Sequence, residues 1–432
     1  MMKAIIIAGG KGKRLGKITR NIPKPMIKIG GLPILEHQIR LLKRYGLKDI
    51  IILTGYLAEV IEKYFKNGQR FGVKITYIKS DPAIGNADRL KLAEKKLSGD
   101  FLVFYGDTML DIDLKRLINF HKKKNSSCTL IIHPNDHPYD SDLVETNDNQ
   151  EIVALHSKPH PSNKYCKNLV NAGIYIFSPD IFKYIKSKKG LELDLAKHIL
   201  SKTIGRERIF GYNTPEYIKD MGTPKRFKQV TKDCLAGKIK RLNMKNKRRA
   251  IFLDRDGTIN YDPGNLAKIK DFRLLPKIAE AIKLINSSEY LAISISNQPM
   301  VAKGLLNIED VKEINKKMET LLGKKGTKLD GIYFCPHHPD KGYPGENPKY
   351  TIQCDCRKPQ PGMIKKAQKD LNIDLTKSWT IGNSERDIIA GANAKVKTIL
   401  VKKNQEKFEK CRIKPTKKAN DLYSAVKLVI KN

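Results

Sequence analysis

Short apolar runs alternate with amphipathic stretches along all 432 residues of the chain. Lys3-Ala-Ile-Ile-Ile-Ala8, Phe101-Leu-Val-Phe-Tyr105, Ile251-Phe-Leu253, Leu291-Ala-Ile-Ser-Ile-Ser296 and Ser378-Trp-Thr-Ile381 are strand-length runs without polar alternation. Such runs fit strands covered on both faces of a parallel sheet. Apolar residues at helical spacing predict helices over Pro33–Tyr45, Glu59–Phe65, Ile278–Asn286 and Ile308–Leu322. The strand–helix rhythm restarts at Ala250, and no internal repeat occurs. The chain is therefore expected to be α/β, with two parallel-sheet domains over residues 1–237 and 250–432. The stretch from Gly237 to Arg249 is polar and basic without apolar periodicity, so 238–249 is expected to be a linker or a frayed helix end.

The run Ile251-Phe-Leu253 ends in Asp254-Arg255-Asp256-Gly257-Thr258. Two carboxylates one residue apart at the carboxyl end of a buried strand can both face the crevice where open α/β sheets bind ligands. One can attack phosphorus while the other moves the proton, with Mg²⁺ neutralising the phosphoryl oxygens. Further along stand Ser296-Asn297-Gln298 at a strand end, Lys358 in Cys356-Arg357-Lys358-Pro359, and Gly382-Asn383-Ser384-Glu385-Arg386-Asp387 after another strand. This ordered set, over about residues 248–402, resembles the haloacid dehalogenase phosphatases. The resemblance implies Asp254 and Asp256 as catalytic acids, Ser296 or Asn297 as phosphoryl-holding groups, and Lys358 as the fixed cation. It implies a Mg²⁺ site made of Asp254, Asp256, position 383 and Asp387. The family has Asp directly after the glycine where this chain has Asn383, which leaves the site one charge short.

Cys335-Pro-His337-His338 and Cys354-Asp-Cys356 bracket a Gly- and Pro-rich loop. Three thiolates and one imidazole suit a closed, structural tetrahedral Zn²⁺ site, and a loop with little apolar surface gains from a metal staple. A disulfide is the competing use of these cysteines, and nothing at the amino terminus reads as a secretory signal that would favour one. The loop resembles that of the heptose bisphosphate 7-phosphatases and histidinol phosphatases, whose Cys-x-His spacing implies His337 as the fourth ligand with Cys335, Cys354 and Cys356.

At the amino terminus, Lys3–Ala8 runs into Gly9-Gly10-Lys11-Gly12-Lys13-Arg14-Leu15. Glycines allow backbone N–H groups to close around phosphates that Lys and Arg neutralise. No Gly-Lys-Ser/Thr follows, and Leu15 breaks a dinucleotide fingerprint. The segment resembles the signature of sugar-1-phosphate nucleotidyltransferases, with Pro23-Lys24-Pro25 behind it. Asp81–Ala87, Phe101–Asp107, Asn171-Ala-Gly173, Glu192 and Tyr217–Pro224 match later motifs of that family, so the resemblance covers residues 1 to about 235. It implies Arg14 and Lys24 on the β- and γ-phosphates, and Gly9, Gly10, Gly12 and Gly85 around the nucleotide. It also implies Asn171 and Glu192 on the sugar, and Asp107 with Asp220 on Mg²⁺. Asn86 stands where the family has Thr.

The chain carries 83 Lys and Arg against 45 Asp and Glu, a net charge of +38. The lysines are dispersed, without aromatic–basic motifs, so a specific nucleic-acid partner is not expected; a positive field also steers phosphorylated substrates. No apolar run is long enough to span a membrane. Cys128, Cys166, Cys234 and Cys411 carry no assignment, consistent with a reducing cytoplasm.

Together the resemblances imply a bifunctional enzyme that converts heptose 1,7-bisphosphate to heptose 1-phosphate and then to a nucleotide-activated heptose, with guanylyl transfer implied by similarity to mannose-1-phosphate-type transferases. Its partners are small molecules. The alternatives are a mannose-type transferase joined to a weak or regulatory phosphatase-like domain, or an activity of the histidinol-phosphatase type.

Overall fold

A computed structural model describes residues 2–161, 164–187, 190–264, 266–401 and 413–431; Cys411 lies outside them. The chain divides into two compact units. The first comprises Met1–His133, Ser141–Lys158 and Leu169–Asn243, and the second Pro134–Asp140, Pro159–Asn168 and Met244–Asn432.

The first unit is built on strands β1 (Lys3–Ile7), β2 (Asp49–Thr54), β3 (Lys74–Lys79), β4 (Phe101–Tyr105), β5 (Thr108–Asp111), β6 (Cys128–His133), β7 (Leu143–Thr146), β8 (Ile152–His156), β9 (Val170–Phe177), β10 (Ile209–Asn213) and β11 (Tyr217–Asp220). Strands β3-β2-β1-β4 are parallel neighbours, and the apolar runs expected at Lys3–Ala8 and Phe101–Tyr105 form the adjacent pair β1 and β4. Alternate residues serve opposite faces. Ala4, Ile6, Ile50, Ile52, Leu102 and Phe104 enter one core, while Ile5, Ile51, Leu53, Phe101 and Val103 enter the other.

The sheet is not parallel throughout. Strand β9 runs antiparallel to β4, β6 and β7, and β8 is antiparallel to β7. A two-stranded antiparallel ribbon joins β5 to β11. Among the helices are α1 (Ile34–Arg44), α2 (Ala58–Phe65), α3 (Asn86–Lys91), α4 (Leu114–Lys124) and α5 (Pro224–Leu235).

Residues 238–249, expected as a linker or a frayed helix end, begin with a short helix and are buried in part, with 245–247 exposed. Gly237, at φ +69°, turns the chain at the end of α5 into α6 (Lys238–Arg241). Ile239, Leu242 and Met244 are buried, and Asn243 donates to Asp111 Oδ1 at 2.6 Å. An apolar pair three residues apart is one helical turn, too short a pattern to stand out among basic residues.

The second unit is a six-stranded sheet, parallel throughout, in the order β14-β13-β12-β15-β16-β17. Its strands are β12 (Arg249–Leu253), β13 (Tyr290–Asn297), β14 (Gly331–Cys335), β15 (Trp379–Gly382), β16 (Lys397–Val401) and β17 (Lys417–Ala419). Helices α7 (Ile278–Ser287), α8 (Ile308–Lys324), α9 (Gly362–Leu371), α10 (Glu385–Asn393) and α11 (Leu422–Ile430) accompany it. The predicted helices at 278–286 and 308–322 correspond to α7 and α8 within two residues at each end. The central strands β12, β13 and β15 end at Leu253, Asn297 and Gly382, so their carboxyl ends present the acid-bearing turns side by side.

Candidate active sites

In the first unit a cavity of about 500 Å³ opens beyond the carboxyl ends of the parallel strands. Gly10, Gly12, Arg14, Lys24, Gly85, Asp107 and Glu192 of the expected set line it. Lys24 is buried and ion-paired to Asp107. Asp107 lies in the turn between β4 and β5, and Asp220 closes β11, which pairs with β5 so that Asp220 faces Thr108. Met221 N–H donates to the carbonyl of Asp107 at 3.1 Å. The ribbon thus brings the two carboxylate segments together. Asp220 is held by Arg226 at 2.8 Å, and a side chain on Gly222 would press on both Asp220 and Arg14.

Asp220, Gly9 and Asn171 of the expected set do not line the cavity. Gly9 is not a wall of the cavity: any Cβ there would collide with the guanidinium of Arg89. Asn171 is not a wall either, since its amide donates to Tyr175 Oη at 3.0 Å and accepts from Gly173 N–H at 3.1 Å, bracing an irregularity in β9. Asn86 donates to Asp194 Oδ2 at 2.8 Å and to Tyr105 Oη at 3.1 Å, and accepts from Leu195 N–H at 2.6 Å. It therefore ties α3 to the segment carrying Glu192. Asp88 adds to this tie, accepting from Leu193 N–H at 2.9 Å.

In the second unit Lys358 is the hub. Its buried ammonium lies 2.7 Å from Asp254 Oδ1 and 2.6 Å from Asp387 Oδ1, and it donates to the carbonyl of Ile295 at 3.1 Å. Burial alone would lower its pKa, but the two carboxylates outweigh that and raise it. Burial, and then repulsion from Asp387, push the Asp254 carboxyl up against the pull of Lys358. Asn297 brackets the backbone of Lys358 with two 2.9 Å hydrogen bonds, and Ser296 is buried beside it at the end of β13.

Asp256 receives hydrogen bonds from Arg255, Asn260 at 2.9 Å and Gln298 at 2.7 Å. Burial would raise its pKa, yet these donors hold it below the ordinary carboxylate range. Arg255 is fully buried and also reaches Asn315 at 3.0 Å and Gln298 at 2.7 Å.

The set read as metal ligands divides. Asp387 engages Lys358 with one oxygen and Ser384 N–H and Oγ with the other, at 3.0 and 2.7 Å. Its carboxylate orients Lys358 and caps α10, leaving little for an ion. Asn383 instead lies on the Asp254–Gly257 turn, where a Cβ on Gly257, at φ +78°, would strike its amide. Of the expected set, Asp254, Asp256 and Asn383 are thus the groups at this turn, with Asp256 already taking donors on both oxygens.

Cys335, His337, Cys354 and Cys356 form a cluster whose donor atoms all lie within 4.8 Å of one another. The sulfurs are 3.1 to 3.6 Å apart, and His337 Nδ1 is 3.3 Å from Cys356 Sγ. Metal–sulfur bonds of about 2.3 Å in a tetrahedron place sulfurs about 3.8 Å apart, so these four donors fit one ion. Hydrogen bonding from Cys335 lowers the Cys356 thiol to about 5, while Cys335 is pushed up. His338 lies outside the cluster, accepting from Asp340 N–H at 3.2 Å. No helix among the described residues is long and apolar enough to cross a membrane.

Sequence reasoning missed Arg89, Asp194, Arg226 and the network of Arg255. Only Arg255, flanked by the two acids, offered a signal.

Comparison with known proteins agrees with this division. The family model described as Nucleotidyl transferase matches residues 3–237, and one described as HAD-hydrolase-like matches residues 355–425. The chain is 42% identical over 149 residues to the D-glycero-beta-D-manno-heptose-1,7-bisphosphate 7-phosphatase of Photorhabdus laumondii, covering 34% of this chain and 77% of that protein. It is 31% identical over 304 residues to the UTP–glucose-1-phosphate uridylyltransferase of Synechocystis, covering 66% of this chain and 78% of that protein. It is 32% identical over 239 residues to the mannose-1-phosphate guanyltransferase of Yarrowia lipolytica, covering 54% and 64% respectively. With its Lys24–Asp107 cavity and its Lys358-centred acid site, the chain belongs to the nucleotidyl transferase family through its first part and to the heptose bisphosphate phosphatases of the HAD-hydrolase-like family through its second.

Proposed function

We propose that this chain is a bifunctional enzyme of nucleotide-activated heptose synthesis. The second unit removes the 7-phosphate of heptose 1,7-bisphosphate. The first transfers GMP from GTP to the resulting heptose 1-phosphate and releases pyrophosphate. One observation carries the reading: a single chain holds two acid–lysine sites, and the product of the phosphatase chemistry is the substrate of the transferase chemistry. The names of the relatives support heptose bisphosphate for the phosphatase. They divide over the base, uridine in one case and guanine in another.

In the phosphatase, Asp254 is the nucleophile. One oxygen is fixed by Lys358 and by Arg255 N–H at 2.8 Å, and the other is free to attack phosphorus. The phosphorus–oxygen bond to C7 breaks, and the departing alkoxide takes a proton relayed from solvent through Asp256, which returns to its ionised form. Asp256, held ionised by its donors, then accepts the proton of the water that hydrolyses the aspartyl phosphate. Lys358 stabilises the transferred phosphoryl charge. Mg²⁺, when held by Asp254, Asp256 and Asn383, supplies further charge neutralisation. The cluster of Cys335, His337, Cys354 and Cys356 holds Zn²⁺ as a staple of the loop leading into Lys358.

In the transferase the phosphate oxygen of the sugar attacks the α-phosphorus and pyrophosphate leaves. Gly10, Gly12, Arg14 and Lys24 hold the triphosphate, Asp107 and Asp220 would hold Mg²⁺, and Glu192 faces the sugar. The reading assigns this work to the cytoplasm, where thiols stay reduced and nucleoside triphosphates are at hand.

The test supplies purified protein with heptose 1,7-bisphosphate, GTP and Mg²⁺. Phosphate should be released first, then pyrophosphate, with GDP-heptose identified by mass spectrometry. Pyrophosphate release from mannose 1-phosphate alone, with no phosphate from the bisphosphate, would overturn the reading.

A further inference from the structure

Arg89, on α3, is among the most buried cations of the first unit at 3% exposure, and it lines the cavity. Its guanidinium packs against the Cα faces of Gly9, after β1, and Gly55, after β2; a side chain at either position would collide with it. It donates to Ser80 Oγ, after β3, and to the carbonyl of Asp81 at 2.9 Å. A guanidinium carries five N–H donors. Among the described residues the remaining three find no acceptor, and no carboxylate forms an ion pair with Arg89. The Asp81 carboxylate is turned to its own loop, accepting from Ala83 N–H at 2.8 Å. Burial lowers the pKa of Arg89, and the nearby carboxylates of Asp81 and Glu192 offset this only in part. A buried cation with idle donors on a cavity wall requires an acceptor from a ligand.

The position within the sheet says which part of the ligand supplies it. Lys24 and Asp107 stand at the end of β4, on one side of β1, with Gly10 and Gly12 beside them. Arg89 stands over β1, β2 and β3, on the other side. The cations assigned to the phosphates line one part of the cavity, and the part walled by Pro82, Ile84, Gly85 and Asn86, after β3, is left for the base. There the fork of Arg89 matches two adjacent acceptors. Guanine offers such a pair in O6 and N7; adenine places an amino donor beside N7, and uracil places an N–H donor beside O4.

We infer that Arg89 selects the base of the nucleotide by donating to the O6/N7 edge of guanine. This rests on the nucleotidyltransferase reading above and adds the residue that fixes its nucleotide. Gly9 and Gly55 are then glycines because the guanidinium needs their space, and Ser80 and Asp81 fix its plane.

The experiment compares wild type, Arg89→Lys and Arg89→Met with GTP, UTP and 7-deaza-GTP, reading kcat/KM by pyrophosphate release with one sugar 1-phosphate. Arg89→Lys retains the charge and guards against misfolding, and phosphate release by the second unit reports intact protein. Wild type should prefer GTP over UTP and lose about tenfold with 7-deaza-GTP, which lacks the N7 acceptor. Both variants should lose about ten- to a hundredfold with GTP and much less with UTP, and should no longer distinguish GTP from 7-deaza-GTP. Equal losses with GTP and UTP would assign Arg89 to the phosphates or the scaffold and overturn the inference. Persistence of the GTP preference in Arg89→Lys would overturn it while leaving guanylyl transfer intact. A wild type that prefers UTP would overturn both.

Discussion

Lys358 is fixed by Asp387: its ammonium lies 2.6 Å from one oxygen of that carboxylate, and Ser384 holds the other. Both residues are buried, so the pair is screened little by water. Asp387 thereby sets where the cation meets the phosphoryl group, through a helix cap built into α10.

Asp387→Asn should leave Lys358 with Asp254 as its one carboxylate partner. Lys358 would then hold Asp254 more tightly, weakening the nucleophile, and breaking a buried pair costs about 3 kcal/mol or more. Phosphate release should fall by at least about a hundredfold and the melting transition of the second unit should drop by several degrees. Pyrophosphate release should be unaffected. Unchanged phosphate turnover would show that Asp387 does not position Lys358.

Independence of the two sites gives a second prediction. Asp254→Asn removes the nucleophile, because an amide does not attack phosphorus, and should abolish phosphatase turnover with transferase turnover near normal. Asp107→Ala removes the partner of Lys24 and a metal carboxylate, and should abolish nucleotidyl transfer alone. Loss of both activities in either folded variant would contradict two separate machines.

Much of this was legible in the sequence, for identifiable reasons. Runs such as Ile251-Phe-Leu253 are apolar on both faces, so their burial in a parallel sheet shows locally, and the acids that follow inherit the strand-end position. The direction of β9 was not legible, because an apolar run such as Gly173–Phe177 is the same read either way and its pairing with β4 and β6 is a long-range fact. Asp387 was visible as an acid but not as the anchor of Lys358, since the two are 29 residues apart in sequence. Arg89 on a helix rich in charged residues reads as a surface cation; Gly9, Gly55 and the loop at Ser80 bury it only when three strands converge.

A third prediction concerns the Cys₃His cluster. Purified protein should carry about one zinc per chain. Cys354→Ser should release it and lower phosphatase turnover, because Cys356 is two residues from Lys358 and Arg357 holds the carbonyl of His337 at 3.1 Å. Transferase turnover should not change. Metal-free protein with full phosphatase activity would refute the staple.

The last prediction addresses Asn383, where the family has an acid. Its amide lies against Gly257, in the turn bearing Asp254 and Asp256. A neutral oxygen binds a hard cation more weakly than a carboxylate does. Asp387 cannot make up the missing charge, because its oxygens are taken by Lys358 and Ser384. A cation held by Asp254, Asp256 and Asn383 would meet two carboxylates and an amide, a set that repels an incoming phosphate dianion less than three acids do. Asn383→Asp should lower the Mg²⁺ concentration for half-maximal phosphate release by about tenfold. The heptose bisphosphate KM should rise at saturating Mg²⁺, as the added charge opposes the substrate. An unchanged Mg²⁺ requirement would mean that position 383 does not touch the metal, and that Asp254 and Asp256 hold it without help from the turn after β15.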